Sequence, residues 1–231
     1  LRPVTDYRPL EFGEIEILVR NNNTCDNWSN LLVTNQFTPQ QVHDCDFRGL
    51  VRIGRLDPVY LEHHDVRLAA GLYRSQIISC DIGDNVAIHN VTYLGNMIVG
   101  DRTVLLNVNE MLTTNHAKFG NGIVKEGEPE DVRIWLQLWN ETGTRGVLPF
   151  DGMLPADAYL WCKYRDDLAL MDHLKNITQR SFDPRRGFYG TVGTQSVVKD
   201  CRILKDVKIG DHAYIKGANK LKNLTVNSSA E

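Results

Sequence analysis

The sequence predicts a mainly β protein, a parallel β-solenoid interrupted by a helical segment. An aliphatic residue followed by glycine occurs at Ile82-Gly83 and again at Val99-Gly100, 17 residues later. Further apolar residues follow each pair at intervals of six. A second block with the same 17-residue step begins at Val192-Gly193. Repetition at a fixed step is typical of solenoids, in which each coil buries its apolar face only by stacking on its neighbours.

Residues 1–50 have the pattern of helices rather than of repeats. The stretch LEFGEIEILVRNN has the spacing of an amphipathic helix. We predict further helical segments at DNWSNLLV and TPQQVHDCDF, the second with Thr38 as N-cap and Pro39 at the first helical position. We therefore expect residues 1–50 to form an N-terminal helical cap over the open end of the solenoid.

Residues 51–112 form the first predicted solenoid block. Its apolar positions recur 17 residues apart in three columns, Ile82 with Val99, Ile88 with Leu105 and Leu94 with Met111. An earlier Ile53-Gly54 is a further coil or the start of one. The corners between strands need tight or left-handed backbone, which we expect glycine and asparagine to supply.

Residues 191–231 form the second predicted block. The same step relates Val192 to Ile209, Val198 to Ile215 and Leu204 to Leu221. The alternative is a β-meander that repeats by chance, and two separate blocks with one step favour the solenoid.

Residues 113–190 form a predicted polar loop and helical insertion between the blocks. The stretch LPADAYLWCKYRDDLALMDHLKNITQRSF has apolar residues at helical spacing, which predicts one long helix or a helical hairpin that starts near Pro155 or Asp157. Its apolar stripe needs a partner surface, either in the same chain or in a second subunit.

At the aliphatic-glycine pairs the chain resembles the hexapeptide-repeat superfamily, which implies a left-handed parallel β-helix. Members of known activity are mostly acyltransferases that act on sugars, sugar nucleotides or amino acids, and they are usually trimers. The stretches DNWSNLLV, FRGLVRIGRL and VKIGDHAYIKGANKLKNLTVNSS are similar to the N-terminal part of a bacterial family of uncharacterised hexapeptide-repeat proteins. Its longer members lead us to expect a short member or a fragment of a longer chain.

The polar loop carries the candidate catalytic and substrate-binding residues. His116 or Glu141 would act as general base for a hydroxyl or amine. Asn140 and Thr142 would bind sugar hydroxyls, and Arg145 would pair with a phosphate or carboxylate. The alternative is structural, with WNETGTRG as a capped turn and FGNG as a hairpin turn.

A metal site is a weaker hypothesis. A zinc site of three histidines would need His89, His116 and His212 to converge, and no two of these have the sequence spacing of metal ligands. The pair His63-His64 is a further combination. We expect no metal.

The acyl donor implied by the resemblance is acetyl-coenzyme A or another acyl-coenzyme A. The basic stretches DPRRGFYG and KGANKLKN would hold its phosphates, or are simply solvated faces. The acceptor would be a sugar or sugar nucleotide, and a homo-oligomer such as a trimer is expected.

Composition excludes several other classes of protein. The net charge of −3 argues against nucleic-acid binding. No run of residues approaches the roughly 18 apolar residues of a membrane span, and the N-terminus lacks the apolar core of a signal peptide. Five cysteines without a CxxC pair favour a reduced, cytoplasmic protein.

Three functions stay open at this point. The first is acyl transfer to a sugar or sugar nucleotide. The second is a non-catalytic solenoid scaffold, which requires no catalytic motif. The third is a sugar-nucleotide-binding module.

Overall fold

Strands dominate the computed structural model, which describes residues 3–64, 66–138 and 143–228. The prediction of a mainly β protein is therefore confirmed. The chain divides into unit 1 (residues 1–114, 189–222 and 226–231) and unit 2 (residues 115–188 and 223–225). None of the helices in the described ranges has the length and hydrophobicity needed to cross a bilayer.

Three α-helices are described, α1 (Phe12–Arg20), α2 (Pro155–Lys163) and α3 (Leu168–Arg180). The described strands are β1 (Tyr7–Pro9), β2 (Thr24–Cys25), β3 (Leu31–Thr34), β4 (Val42–His43), β5 (Asp46–Arg48), β6 (Val51–Ile53), β7 (Tyr60–His63), β8 (Val66–Ala69), β9 (Gly71–Tyr73), β10 (Gln76–Ile78), β11 (Asp81–Ile82), β12 (Ala87–Gly95), β13 (Met97–Val99), β14 (Val104–Leu112), β15 (Leu136–Gln137), β16 (Gly146–Val147), β17 (Gly190–Val192), β18 (Val197–Ile209), β19 (Tyr214–Lys216) and β20 (Lys220–Val226).

Most of the strands form one curled mixed sheet. Among the described residues it contains 16 strands, with the path β1-β3-β6-β11-β13-β17-β18-β14-β12-β10-β5-β2 and with β4, β9, β19 and β20 attached beside it. β1 pairs antiparallel with β3, whereas parallel ladders join β12 to β14 and β14 to β18. A separate antiparallel hairpin, β7–β8, packs Leu61 and Leu68 on the Ala87, Val104 and Val197 side chains.

The parallel register follows the 17-residue step that the sequence contains. Within the first block Ile88 pairs with Leu105 and Leu94 with Met111. Strands of the two blocks also pair, because Leu105 lies opposite Val198 in the β14–β18 ladder. The side chains of these five residues are at most 1% exposed. The second block therefore continues the parallel pairing of the first, and residues 113–189 separate β14 from β17 in sequence.

Left-handed backbone occurs at corners that carry polar residues. Asn90, Asn107 and Asp200 have φ values of 56°, 53° and 55°. The Asn90 Nδ2 atom donates to Asn107 Oδ1 at 3.0 Å, and Asn107 Nδ2 donates to Asp200 Oδ1 at 2.9 Å. Asparagine and aspartate tolerate this conformation better than most side chains do. The hydrogen bonds between these neighbouring strands add to that preference.

The glycines after the aliphatic residues lie where neighbouring backbones approach closely. Neither Gly83 nor Gly100 has a positive φ. A Cβ atom on Gly100 would lie 2.6 Å from the Thr194 backbone nitrogen and 2.9 Å from the Gly193 carbonyl carbon. Gly83 has the same relation to Gly100, at 2.8 Å. Glycine is required here because the backbones of neighbouring segments are in contact.

The helix prediction for residues 1–50 holds only in its first part. LEFGEIEILVRNN forms α1. The predicted helices at DNWSNLLV and TPQQVHDCDF are wrong, because each makes a single 3-10 turn, at Trp28–Asn30 and Pro39–Gln41, before entering a strand. Val33 and Val42, which follow these turns, are fully buried and pair in parallel with Ile53 and Leu72. Sheet pairing and burial outweigh the local helix signals.

The predicted helical insertion forms two helices, α2 and α3. Pro155 occupies the first turn of α2, as its fixed φ favours. The Asp167 carboxylate caps α3 by accepting from the Leu170 N–H at 3.0 Å. Both helices contribute to an apolar cluster in unit 2 formed by Val147, Leu148, Trp161 and Cys162, with Met153, Met171 and Leu174 against it.

Replacing Gly100 with alanine should lower the free energy of unfolding by about 2 kcal/mol, since the new methyl group meets backbone atoms that cannot rotate away. Gly13→Ala is the matched control. Gly13 lies within α1 and has nothing within 4 Å of its Cβ position, so this change should stabilise the protein by about 0.5–1 kcal/mol. Chemical denaturation measures both, and equal effects would contradict the close approach of the backbones at Gly100.

Candidate functional site

The structure describes only some of the predicted site residues. Asn140, Glu141 and Thr142 lie outside the described residues. Arg145 directly precedes β16, and its carbonyl accepts from the Leu138 N–H at 3.1 Å. His116 lies in unit 2 with a defined polar partner. The geometry of the site is therefore built around His116.

His116 is oriented by a carboxylate that the sequence analysis did not select. Its Nδ1 lies 2.9 Å from Glu128 Oε1. The imidazole is 57% exposed, whereas the Glu128 side chain is only 7% exposed. An ionised carboxylate only accepts hydrogen bonds, so Nδ1 must carry the proton. In the neutral imidazole the lone pair is then on Nε2.

Glu128 is held in place and kept ionised by further donors. Lys118 Nζ lies 2.9 Å from Oε2, and the Lys125 backbone N–H donates to the same oxygen at 2.9 Å. Burial alone would raise the pKa of Glu128, but the hydrogen bonds from Lys118, the Lys125 N–H and His116 outweigh it and lower the pKa to about 2. The carboxylate is thus a fixed negative charge at neutral pH.

A loop from unit 2 is tied to the same cluster through the side chain of Lys125. Its Nζ donates to the carbonyls of Asp183 and Arg185 at 2.9 and 3.0 Å and lies 4.7 Å from the centre of the Phe188 ring. Burial lowers the pKa of Lys125, and the nearby Asp183 and Glu128 carboxylates partly offset this effect. The ammonium group therefore clamps residues 183–188 beside the loop that carries Glu128.

Arg133 joins the polar segment to α3. Its guanidinium binds Glu130 bidentately, at 2.7 Å (Nε to Oε1) and 3.0 Å (Nη2 to Oε2). Its Nη1 donates to the Gly122 carbonyl and to Gln179 Oε1. Gln179, on α3, in turn exchanges two hydrogen bonds with the backbone of Val124. The segment that follows His116 is therefore anchored by buried polar groups.

The turn after His116 is also held by the side chains of Asn223 and Thr225. Asn223 Oδ1 accepts from the backbone N–H groups of Lys118 and Gly120 at 3.3 and 3.1 Å. Thr225 Oγ1 donates to the Phe119 carbonyl at 2.7 Å. These bonds hold Phe119 and Gly120 in positive-φ conformations of 53° and 86°. The turn that directly follows His116 is thus held by the Asn223 and Thr225 side chains.

The other histidines considered for a metal have separate partners. His89 Nε2 lies 2.9 Å from the Ala69 carbonyl oxygen, and its ring packs against Tyr73 at 4.4 Å between centroids. His212 occupies a positive-φ corner in unit 1. The His63 ring stacks on Tyr214 at 4.9 Å. Within the described ranges no group of three or more His, Cys, Asp or Glu residues could hold a metal ion.

The histidine–carboxylate pair was only partly accessible from sequence. NHAKFGNG presents His116 and Lys118 together, and the sequence analysis singled out His116. Glu128 is 12 residues away in KEGEPED, one of several acidic residues there, and nothing in its spacing marks it. Only the fold brings its carboxylate to Nδ1.

Comparison with known proteins gives a family without an assigned activity. The family model described as Domain of unknown function (DUF4954) matches residues 7–231. An uncharacterized protein of Treponema pallidum (strain Nichols) is 48% identical over 229 residues, which cover 99% of this chain and 32% of that protein. The chain thus spans about a third of the length of this relative. No solved structure matches.

Substituting Glu128 with glutamine should lower the free energy of unfolding at pH 7 by about 3 kcal/mol, because it leaves the Lys118 ammonium buried without its counter-charge. The pKa of Glu128 is depressed from its ordinary 4.5 to about 2. Its contribution is therefore complete above pH 4.5 and disappears as the pH falls towards 2. The difference between wild type and variant should shrink over that interval.

Urea unfolding at a series of pH values between 7 and 2 measures this difference. Glu16→Gln is the control, since Glu16 pairs with Arg20 on an exposed helix face and should change stability by less than about 0.5 kcal/mol. A Glu128 effect that is independent of pH below 4.5 would show that the carboxylate is not the stabilising group.

Proposed function

The chain belongs to the DUF4954 family, and we propose that it transfers an acyl group to a hydroxyl or amino group of a sugar or sugar nucleotide, with His116 as general base. The observation that carries this proposal is the 2.9 Å contact between His116 Nδ1 and the buried, ionised Glu128. Histidine is the side chain used most often for such proton transfers. An oriented carboxylate partner sets the tautomer and stabilises the imidazolium that forms.

The acid–base step follows from this geometry. The acceptor's hydroxyl or amine loses its proton to His116 Nε2 as its oxygen or nitrogen attacks the acyl carbonyl carbon. The bond between the carbonyl carbon and the leaving sulfur then breaks, and the imidazolium returns the proton to the departing thiolate. Glu128 stabilises the positive imidazolium between the two transfers. Lys118 in turn neutralises Glu128 from its other oxygen.

The activated acyl group would be supplied by acetyl-coenzyme A or another acyl-coenzyme A. The stretch DPRRGFYG has the chemistry to hold its phosphates. Arg186 is exposed, and its Nε donates to the Glu126 carbonyl at 2.7 Å, two residues before Glu128. The remaining guanidinium donors suit a phosphate. Arg185 is already paired with Asp183.

Asn140, Thr142 and Arg145 are the proposed acceptor-binding residues, and Glu141 is the alternative base. These residues shortly precede β16 in sequence. Because β16 (Gly146 and Val147) belongs to unit 2 together with His116, this position supports a common role with His116. Amide, hydroxyl and guanidinium groups are the donors and acceptors that sugar hydroxyls and phosphates require.

We also propose that the curled sheet of unit 1 is a left-handed parallel β-helix of the hexapeptide-repeat kind. Its support is the 17-residue parallel register together with positive-φ corners that recur at the same step. One such series consists of Asn85, Arg102, Gln195 and His212. This architecture would connect the chain to the acyltransferases that its aliphatic-glycine pairs resemble.

Replacing His116 with glutamine should lower kcat for acyl transfer by about 10²–10⁴-fold, because the proton acceptor is lost. Release of coenzyme A thiol from acetyl-coenzyme A, with a panel of amino sugars and nucleotide sugars as acceptors, measures the rate. Arg145→Ala should raise KM more than it lowers kcat.

His173→Gln is the matched control, since His173 is an exposed histidine on α3 in the same unit. It should retain wild-type turnover. Equal losses in the two histidine variants, or no acceptor-dependent thiol release by the wild-type protein, would contradict the proposed function.

A second candidate is a non-catalytic module that assembles with itself. Unit 2 exposes large apolar side chains on and between its helices, with Tyr159 58%, Leu160 40%, Tyr164 47% and Leu168 76% exposed. Apolar groups of this kind are covered when subunits associate. An oligomer that Leu168→Glu dissociates, together with the absence of turnover, would favour this function over the first.

A further inference from the structure

A depression lined by polar and apolar side chains lies within unit 1, on the outer side of the β12–β14–β18 ladders. It has a volume of about 470 Å³. Its lining residues are Tyr93, Asn109, Glu110, Leu112, Arg202 and Ile203. All six belong to unit 1, whereas His116 and Glu128 belong to unit 2. We call this depression the wall groove.

The repeat register builds the wall groove. Tyr93 pairs with Glu110, and Glu110 pairs with Ile203, in successive parallel strands. Gly95 leaves space for the aromatic ring, because a Cβ atom there would lie 3.1 Å from Tyr93 Cε1 and 2.9 Å from Leu112 Cδ1. The ring of Tyr93 is therefore folded along the wall beside Leu112. Together they give the groove an apolar floor.

The polar side chains that line the wall groove make few hydrogen bonds or ion pairs within the described part of the protein. Among the described residues, the side chains of Tyr93, Asn109 and Glu110 have no hydrogen-bond or ion-pair partner. Arg202 has one long contact, from Nη1 to Asn219 Oδ1 at 3.4 Å. Glu110 and Arg202 line one groove without forming an ion pair with each other. Their charges are available to a ligand that lies between them.

We propose that the wall groove binds a sugar that carries an anionic group, such as a sugar phosphate or a uronic acid. Arg202 would pair with the anion, for which its planar guanidinium is suited. Glu110 and Asn109 would accept and donate hydrogen bonds to the hydroxyl groups. Tyr93 and Leu112 would contact the apolar face of the sugar ring. The volume falls in the range of small-molecule sites.

The combination of groups determines this ligand class. A bare inorganic anion would not pack against the apolar surface of Tyr93 and Leu112, and Glu110 would repel it. A neutral sugar would leave Arg202 without a charged partner. A nucleic acid strand would meet the same carboxylate at its phosphates. The inference goes beyond the proposed acyl transfer, because it involves none of the residues assigned to that reaction.

Calorimetric titration of the full chain tests the proposal with four probes: glucose 6-phosphate, glucuronate, glucose and inorganic phosphate. The first two should bind at least about tenfold more tightly than the last two, since only they engage both Arg202 and the hydroxyl-binding groups. Binding by glucose 6-phosphate alone or by glucuronate alone identifies the anion and supports the proposal.

Arg202→Gln should weaken binding of the anionic sugars by at least about tenfold, because the charge that pairs with the anion is lost. Arg102→Gln is the matched control. Arg102 is exposed and has a φ of 54°, and Gln195 occupies the corresponding corner of the next coil at 56°, so glutamine fits there without strain. This control should bind as the wild type does.

Three results would overturn the proposal: no binding of either anionic sugar, equal binding of all four probes, or equal affinity in Arg202→Gln and wild type. Each is independent of the acyl-transfer assay. His116→Gln should leave binding in the wall groove unchanged, so a failure of either proposal can be distinguished from a failure of the other.

Discussion

Neighbouring segments of unit 1 approach so closely at one place that no Cβ atom fits between their backbones. The Gly83, Gly100 and Gly193 positions lie above one another there. This contact fixes the strand register, since a slip by one residue would place a side chain in the gap. The buried apolar columns, the Asn90–Asn107–Asp200 hydrogen bonds and the wall groove all depend on that register.

Unit 2 depends on a different interaction, the burial of one ionised carboxylate. Burying Glu128 is unfavourable unless donors surround it. Lys118, the Lys125 N–H and His116 supply those donors. The arrangement has a chemical consequence, because the one exposed member of the set is an imidazole whose proton position is dictated by its partner. A structural requirement of this unit thereby produces a group suited to acid–base chemistry.

The sequence predicts features that depend on periodicity and misses those that depend on contacts between distant residues. The columns that contain Leu105 and Val198 were visible because the 17-residue step repeats in both blocks. Thr38 and Pro39 precede and begin a single 3-10 turn, and no α-helix forms because the following residues pair in the sheet. The contact that requires glycine at position 100 was not predicted, because the close approach of two backbones leaves no mark in the sequence distinct from that of a turn. Glu128 could not be recognised before its carboxylate was seen beside His116.

Determining the tautomer of His116 tests most directly whether a buried carboxylate orients this imidazole as a base. Long-range ¹H–¹⁵N correlation spectra of the imidazole in alkaline solution report which nitrogen carries the proton. We predict a protonated Nδ1 and an unprotonated Nε2, with this preference weakened in Glu128→Gln. A proton on Nε2 in the wild-type protein would contradict this prediction, because the lone pair would then point at the carboxylate and not towards a substrate.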